Sequence, residues 1–401
     1  MARILQKSST INSFDVNNVL LIGAGTQSLA FISPLANLGY KVYLLTEELN
    51  NYADASRYIS SIIVPPVKIS ESSYIDYLLS VIQKNNISVI IPMGDSSAAF
   101  ISKNLDALSA VVNVKMSKYE NFLLGYDKNS LMSLCSLKGY PHPQTIDLSL
   151  TSIEDKLLKE FPYPAMLKPN ISTGGRGMKI IQTYDDLRNC FEDLKSKYGN
   201  YHIQEFIPSG GKQFKAQLYI DDQGNLIQGT VMQKVRWFPI SGGSNCCALS
   251  IENYEIVQLC HNVLKDLKWV GFADFDLIED PRNGKVLLME INPRVPACIK
   301  ATMVAGVNWP EVIVNGYLNL PQKEYQYKHN VVLRHLGLDI MWFLKSDKRW
   351  KTSPSWFRFI GKNIHYQDMN GWMDLMPFIK GTFKNVKSLL NPEFKKNKGL
   401  I

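Results

Sequence analysis

No apolar run among the 401 residues approaches the ~20 that a membrane-spanning helix needs. The opening stretch, MARILQKSSTINSFD, is too polar, and its apolar part too short, for a secretory signal, so residues 1–16 read as a flexible leader. Cysteine is scarce and unpatterned: the six (Cys135, Cys190, Cys246, Cys247, Cys260, Cys298) include no C-x-x-C and no zinc-ligand spacing. Reduced, mostly buried thiols in a cytoplasmic protein are therefore expected. No histidine stands in a recognisable pairing with Cys246 and Cys247, which argues against a thiol nucleophile there. No G-x-x-x-x-G-K-[S/T] occurs, which excludes a P-loop enzyme, and protein-kinase catalytic motifs are missing too.

Acidic residues run short toward the end of the chain. From Lys323 onward 15 Lys+Arg face 6 Asp+Glu, so this part holds +9 and residues 1–322 about −1 of the overall +8. Four of the seven Trp (Trp342, Trp350, Trp356, Trp372) lie there as well. Such a basic, Trp-rich segment suits a solvated helical cap whose Trp side chains pack on the core. It equally suits a surface for an acidic polymer or an anionic membrane, which would add a peripheral place at the inner membrane surface to the cytoplasmic expectation. No motif supports nucleic acid as a partner.

Residues 19–112 alternate strand and helix. VLLI (19–22) is a buried strand followed by Gly23 and Gly25, KVYLL (41–45) is a second strand and VIIP (89–92) another. Tyr74, Ile75, Leu78, Leu79 and Ile82 form one helical face. This alternation predicts a parallel, doubly wound sheet. The glycines suggest a dinucleotide fingerprint, but Ser28 replaces its third glycine, and a scaffold role is favoured over a redox cofactor.

Further along, AMLKP (165–169) reads as a strand ending near Lys168, and STGGRGM (172–178) as a glycine-rich loop whose backbone N–H groups could approach phosphate oxygens. Lys128 and Lys168 would add compact positive charge for the same oxygens. The most informative stretch is residues 271–294, GFADFDLIEDPRNGKVLLMEINPR: two strands around a turn at 280–284. Alternation puts Asp274 and Asp276 on one face, and Glu290 and Asn292 on one face of the return strand. Asp276 and Glu290 can then reach one cavity, as hard oxygen ligands for a Mg²⁺ that also holds phosphates. Glu279 has the opposite parity and should point away.

These segments, in this order, resemble the ATP-grasp superfamily, and the resemblance runs across roughly residues 19–320. It implies a fold both α/β and α+β: a Rossmann-like parallel sheet, then an ATP-grasp fold with an antiparallel sheet and a mobile lid. The implied divisions are a pre-ATP-grasp domain at 17–113, the ATP-grasp domain at 114–320 with its lid at roughly 140–205, and the basic segment at 321–401. Asp276, Glu290 and Asn292 match the family's metal positions, implying two Mg²⁺ (or Mn²⁺) ions with ATP. Lys128 and Lys168 match its phosphate-contacting lysines, with Gly174, Gly175 and Gly177 in the loop. HIQEFI (202–207) matches its adenine hinge, with Gln204, Glu205, Phe206 and Ile207 contacting the nucleotide. Arg294 matches the arginine that stabilises the transferring phosphoryl group, with Lys168 beside it. Arg236 and the loop of Gly242, Gly243 and Ser244 lie where related enzymes bind the acceptor carboxylate.

EINPRV and KATMVAG (300–306) are most similar to the carbamoyl-phosphate synthase branch, although this chain holds one such unit and has Pro296-Ala297-Cys298 where the synthases carry a Ser-Arg segment. The implied activity is a stand-alone ligase that activates a carboxylate as acyl-phosphate, joins it to an amine and releases ADP and phosphate. Its substrates would be a small-molecule or polymer-linked carboxylate and an amine, and its assembly a homodimer. A small-molecule kinase on the same fold and a non-catalytic ATP-binding protein stand as the alternatives.

Overall fold

The computed structural model describes residues 17–389 apart from 50, 51, 173, 174, 241 and 372. The leader expected at 1–16 lies outside the described residues, as do Gly174 and Trp372. The first sheet is parallel throughout, in the order β3-β2-β1-β4, with β1 at Asn18–Ile22, β2 at Lys41–Leu45, β3 at Ile59–Ile63 and β4 at Val89–Pro92. Its centre is β1, where Val19, Leu20 and Leu21 have no exposed surface. This is the doubly wound sheet the alternation predicts. Edge strand β3 went unread because ISSII is only half-buried and carries no continuous apolar run. Beyond β1, Gly23 and Gly25 take φ of 113° and 149°. Ser28 is fully buried and its hydroxyl donates to the Gly23 carbonyl at 2.8 Å, so the residue that spoils the dinucleotide fingerprint ties the turn together.

Residues 145–205 build a small antiparallel sheet in the order β5-β8-β6-β7: β5 at Thr145–Asp147, β6 at Ala165–Pro169, β7 at Lys179–Ile181 and β8 at Tyr201–Glu205. It has its own core around Leu167, Leu187, Phe191 and Ile203. The helix Tyr184–Tyr198 covers it and starts at a reciprocal cap, in which Thr183 Oγ1 accepts from the Asp186 N–H while the Asp186 carboxylate accepts from the Thr183 N–H.

The largest sheet has the order β13-β12-β9-β10-β11-β14-β15. Its strands are β9 at Gln213–Ile220, β10 at Leu226–Phe238, β11 at Ser244–Ile251, β12 at Gly271–Glu279, β13 at Val286–Asn292, β14 at Val332–Arg334 and β15 at Ile364–Tyr366. All neighbours are antiparallel except β14 and β15. Alternation decides its faces: Phe214, Ala216, Leu218, Ala273, Phe275 and Leu277 join a core under the helix Tyr254–Asp266, and the polar residues between them face the other way. The chain after β13 returns to the first sheet, where the fully buried Trp309 packs edge-on to Phe272.

The basic segment is built into this sheet through β14 and β15. Trp342, on the helix Leu336–Lys345, is buried against Phe238 and Cys246, while Trp350 is 71 % exposed. Among the described residues no helix is long and apolar enough to cross a membrane.

Candidate active site

The hairpin β12–β13 has the register its sequence suggests, with Asp276 opposite Glu290 and Asp274 opposite Asn292. Its reversal is closed by the Gly284 N–H donating to the Asp280 carbonyl at 2.8 Å, with Gly284 at φ 72°. A bulge follows on β13, since Leu277 pairs with Leu288 and Met289 is the extra residue. Strand β9 completes the face, placing Lys215 beside Asp276 and Gln217 beside Asp274. Two rows thus cross three strands: Lys215–Asp276–Glu290 and Gln217–Asp274–Asn292.

Lys215 is the residue the sequence reading passed over. Its Nζ lies 2.6 Å from Asp274 Oδ2 and 2.8 Å from Asp276 Oδ2. Burial alone would lower its pKa, but Asp274 and Asp276 more than offset this and hold the ammonium charged. Burial likewise opposes charge on Asp276, yet Lys215 and then Lys234 pull its pKa well below the ordinary carboxylate range. Asn292 Nδ2 also donates to Asp276 Oδ2 at 3.1 Å. The strand FKAQLYI does hold a signal, because its lysine and glutamine interrupt an otherwise apolar alternation.

Lys128 opens the helix Lys128–Lys138, whose cap is the Asp127 carboxylate accepting from the Ser130 N–H at 2.8 Å. Its Nζ donates to the Ser172 carbonyl at 3.0 Å and lies 3.4 Å from Glu290 Oε2, so loop, helix start and strand β13 meet at one ammonium. Lys168, on β6, is 8 % exposed and donates to Gln204 Oε1 at 2.5 Å. Burial lowers its pKa to about 8; Glu290 opposes the shift and Lys128 adds to it. Opposite Lys168 on β8 sits His202, fully buried, its Nδ1 2.9 Å from Asn170 Oδ1 and its Nε2 without a hydrogen-bond partner. Burial and the charges of Lys168 and Lys128 push its pKa down to about 3, so the ring is neutral.

Gly175 and Gly177 take φ of 73° and 77°. A Cβ at Gly177 would lie 2.8 Å from Pro169 Cγ and 2.9 Å from the Tyr201 hydroxyl, so only glycine fits that close approach. In the hinge, Gln204 is buried beneath Lys168 and Ile207 is 9 % exposed, with Phe206 between them half-buried. The Glu205 carboxylate accepts from Arg282 Nη2 at 2.6 Å, and Arg282 also binds Asp280. Glu205 therefore links the small sheet to the hairpin turn, which differs from the adenine or ribose contact expected of its side chain.

Arg294 reaches out of the hairpin to the first sheet: its Nε donates to Asp95 Oδ1 at 3.1 Å. Burial would lower its pKa, and Asp95, then Asp274 and Asp276, reverse that. Asp95 stands at the start of the helix Asp95–Lys103, and no local pattern marks it as part of the site. Arg236 is a correction to the expectation of a substrate contact. It is 1 % exposed, its Nε and Nη2 grip Asp339 at 2.7 and 2.9 Å, and Arg334 Nε takes the same carboxylate at 2.7 Å. A guanidinium satisfied this way joins β10 to the C-terminal segment and is not presented to a ligand. Gly243 packs against the Phe238 backbone at the β10–β11 turn, where no side chain would fit, and Ser244 is exposed. The Cys246 and Cys247 thiols are buried, burial pushes both pKa values up, and thiolate chemistry is disfavoured at either.

Among the described residues no three His, Cys, Asp or Glu side chains converge as a metal cage. Asp276, Glu290 and Asn292 offer two carboxylates and an amide, a hard-oxygen set that fits Mg²⁺ when phosphate oxygens supply the remaining ligands.

Residues 127–308 match the family described as carbamoyl-phosphate synthase L chain, ATP binding domain. Over 177 residues the chain is 22 % identical to the carbamoyl phosphate synthase large chain, C-terminal section, of Methanopyrus kandleri, covering 42 % of this chain and 32 % of that one. It is 25 % identical to D-aspartate ligase from Enterococcus faecium over 62 % of this chain and 63 % of that one. The chain thus spans less than two thirds of either relative's own length. Among solved structures, a biotin carboxylase–β,γ-ATP complex from Campylobacter jejuni superimposes with a TM-score of 0.66 at 19 % identity, covering 80 % of this chain and 75 % of that one. The chain has the ATP-grasp fold, and over residues 127–308 it is similar to the ATP-binding domain of the carbamoyl-phosphate synthase L chain.

Proposed function

We propose that this chain is an ADP-forming carboxylate–amine ligase. The observation that carries the reading is the meeting of Lys128, Lys168 and Glu290: two lysines for phosphates stand against a carboxylate on the metal strand, 3.4 Å from Lys128. The likeness to a D-aspartate ligase supports the choice of ligase chemistry.

In this reading Lys128, Lys168 and the backbone around Gly175 and Gly177 hold the nucleotide phosphates. Asp276, Glu290 and Asn292 would hold Mg²⁺, which would offset charge on the nucleotide phosphates. A substrate carboxylate oxygen attacks the γ-phosphorus, ADP leaves, and an amine then displaces phosphate from the acyl-phosphate. Arg294, fixed by Asp95, faces the charge that develops. The sheet at 145–205 closes over the site and keeps water from the intermediate. Positioning carries most of the catalysis.

The test is ADP release from Mg·ATP across a panel of carboxylic acids, with hydroxylamine as trapping amine. Hydroxamate formed with the ADP supports the ligase; ADP without hydroxamate favours a kinase and sinks it.

Lys168 also makes nucleotide affinity depend on pH. Its ammonium loses its proton as pH rises through about 8, so binding of an ATP analogue should weaken between pH 7 and 9. In Lys168→Ala that dependence should vanish with much of the affinity, as calorimetric titration would record. Gly177→Ala should weaken analogue binding about tenfold, given the ~1–2 kcal/mol cost of a Cβ in left-handed backbone.

A further inference from the structure

We infer that Lys215 stands in for one of the cations and that this site loads a single divalent ion with its nucleotide. The inference rests on the ATP-binding reading above and departs from the two-ion expectation that the resemblance implied.

The geometry accounts for the carboxylate oxygens one by one. Lys215 Nζ sits 2.6 Å from Asp274 Oδ2 and 2.8 Å from Asp276 Oδ2, bridging two acids as a bound cation would. Gln217 Nε2 donates to Asp274 Oδ1 at 2.8 Å, so both oxygens of that buried acid are taken. Glu290 Oε2 faces Lys128 at 3.4 Å, so Asp276 Oδ1, Glu290 Oε1 and Asn292 Oδ1 are left, enough for one ion that also binds phosphate and water. A second divalent ion beside Asp274 would lie against the Lys215 ammonium, and like charges at that range repel strongly in a poorly solvated site. Nor can Lys215 swing away freely. Its side chain is 12 % exposed, and leaving would strand the carboxylate of Asp274, which has no exposed surface, without its ion pair.

The experiment counts Mn²⁺ by electron paramagnetic resonance on the full chain with a saturating non-hydrolysable ATP analogue. One tightly bound Mn²⁺ per chain is expected, and two would overturn the inference while leaving the ATP-binding reading intact. Failure of the analogue to bind at all would overturn that reading itself, and with it this one. Lys215→Met removes the ammonium but keeps the length, and should raise the count from one to two. Lys215→Arg retains the charge and should hold it at one. Should Lys215→Met not fold, the wild-type count together with that of Lys215→Arg still decides. A folded Lys215→Met that stays at one ion would show that the lysine does not exclude the second cation.

Discussion

Glu290→Gln should lower ligase turnover by at least ~10²-fold while leaving the fold intact, the loss expected when a charged group stabilising a transferring phosphoryl group is removed. The two halves of that expectation have separate causes. Glu290 lies in a cross-strand row with Asp276, where only a carboxylate both binds Mg²⁺ firmly and balances Lys128. Yet its side chain is 32 % exposed and its ion pair with Lys128 is long, so the isosteric amide costs little on folding. Steady-state ADP release and a thermal melt read the two halves independently. A variant keeping more than about a tenth of the rate would break the metal assignment, since that is far short of the ~10²-fold loss. An equally inactive variant whose melting temperature collapses would make the role structural.

Asp339→Ala should be the most destabilising single change among the charged residues, by about 3–5 kcal/mol in urea unfolding. Asp339 is fully buried and serves two arginines at once, Arg236 from β10 and Arg334 from β14. Removing it leaves two guanidinium groups buried among Trp342, Trp356 and Phe359, whose rings offset only part of the lost charge pairing. Arg236→Ala should also destabilise, and should move unfolding rather than the Michaelis constant of any substrate. A folded Arg236→Ala of ordinary stability with a raised Michaelis constant for the carboxylate would restore the ligand role expected from its position. By the same reasoning, deleting residues 323–401 should give an insoluble product, because it strips β14 and β15 from the sheet and takes Asp339 from Arg236.

Much of the scaffold was readable before any coordinates. The strands of the first sheet were legible where an apolar run was continuous, as at 19–22, 41–45 and 89–92, and β3 was lost where it was not. The hairpin register was legible because parity along a strand and a turn rich in Asp, Pro, Asn and Gly are local properties. Lys128 and Lys168 emerged as candidates from order along the chain, Lys128 at a helix start and Lys168 near a strand end. Arg294's partner Asp95 did not emerge, for the two are far apart in the chain and nothing near Asp95 marks it.

The amino-acid sequence by itself thus determined the layered fold and the face on which Asp276, Glu290 and Asn292 sit, since each follows from short-range alternation, turn chemistry and motif order. Only the tertiary structure decided what the charges do. It put Lys215 between two acids on a neighbouring strand, sealed Arg236 against Asp339, turned Glu205 toward Arg282 and drew the basic segment into the sheet. The physical reason is common to all four: a charge has no preferred partner along the chain, and which opposite charge it meets depends on strand register and packing, while desolvation makes the meeting obligatory.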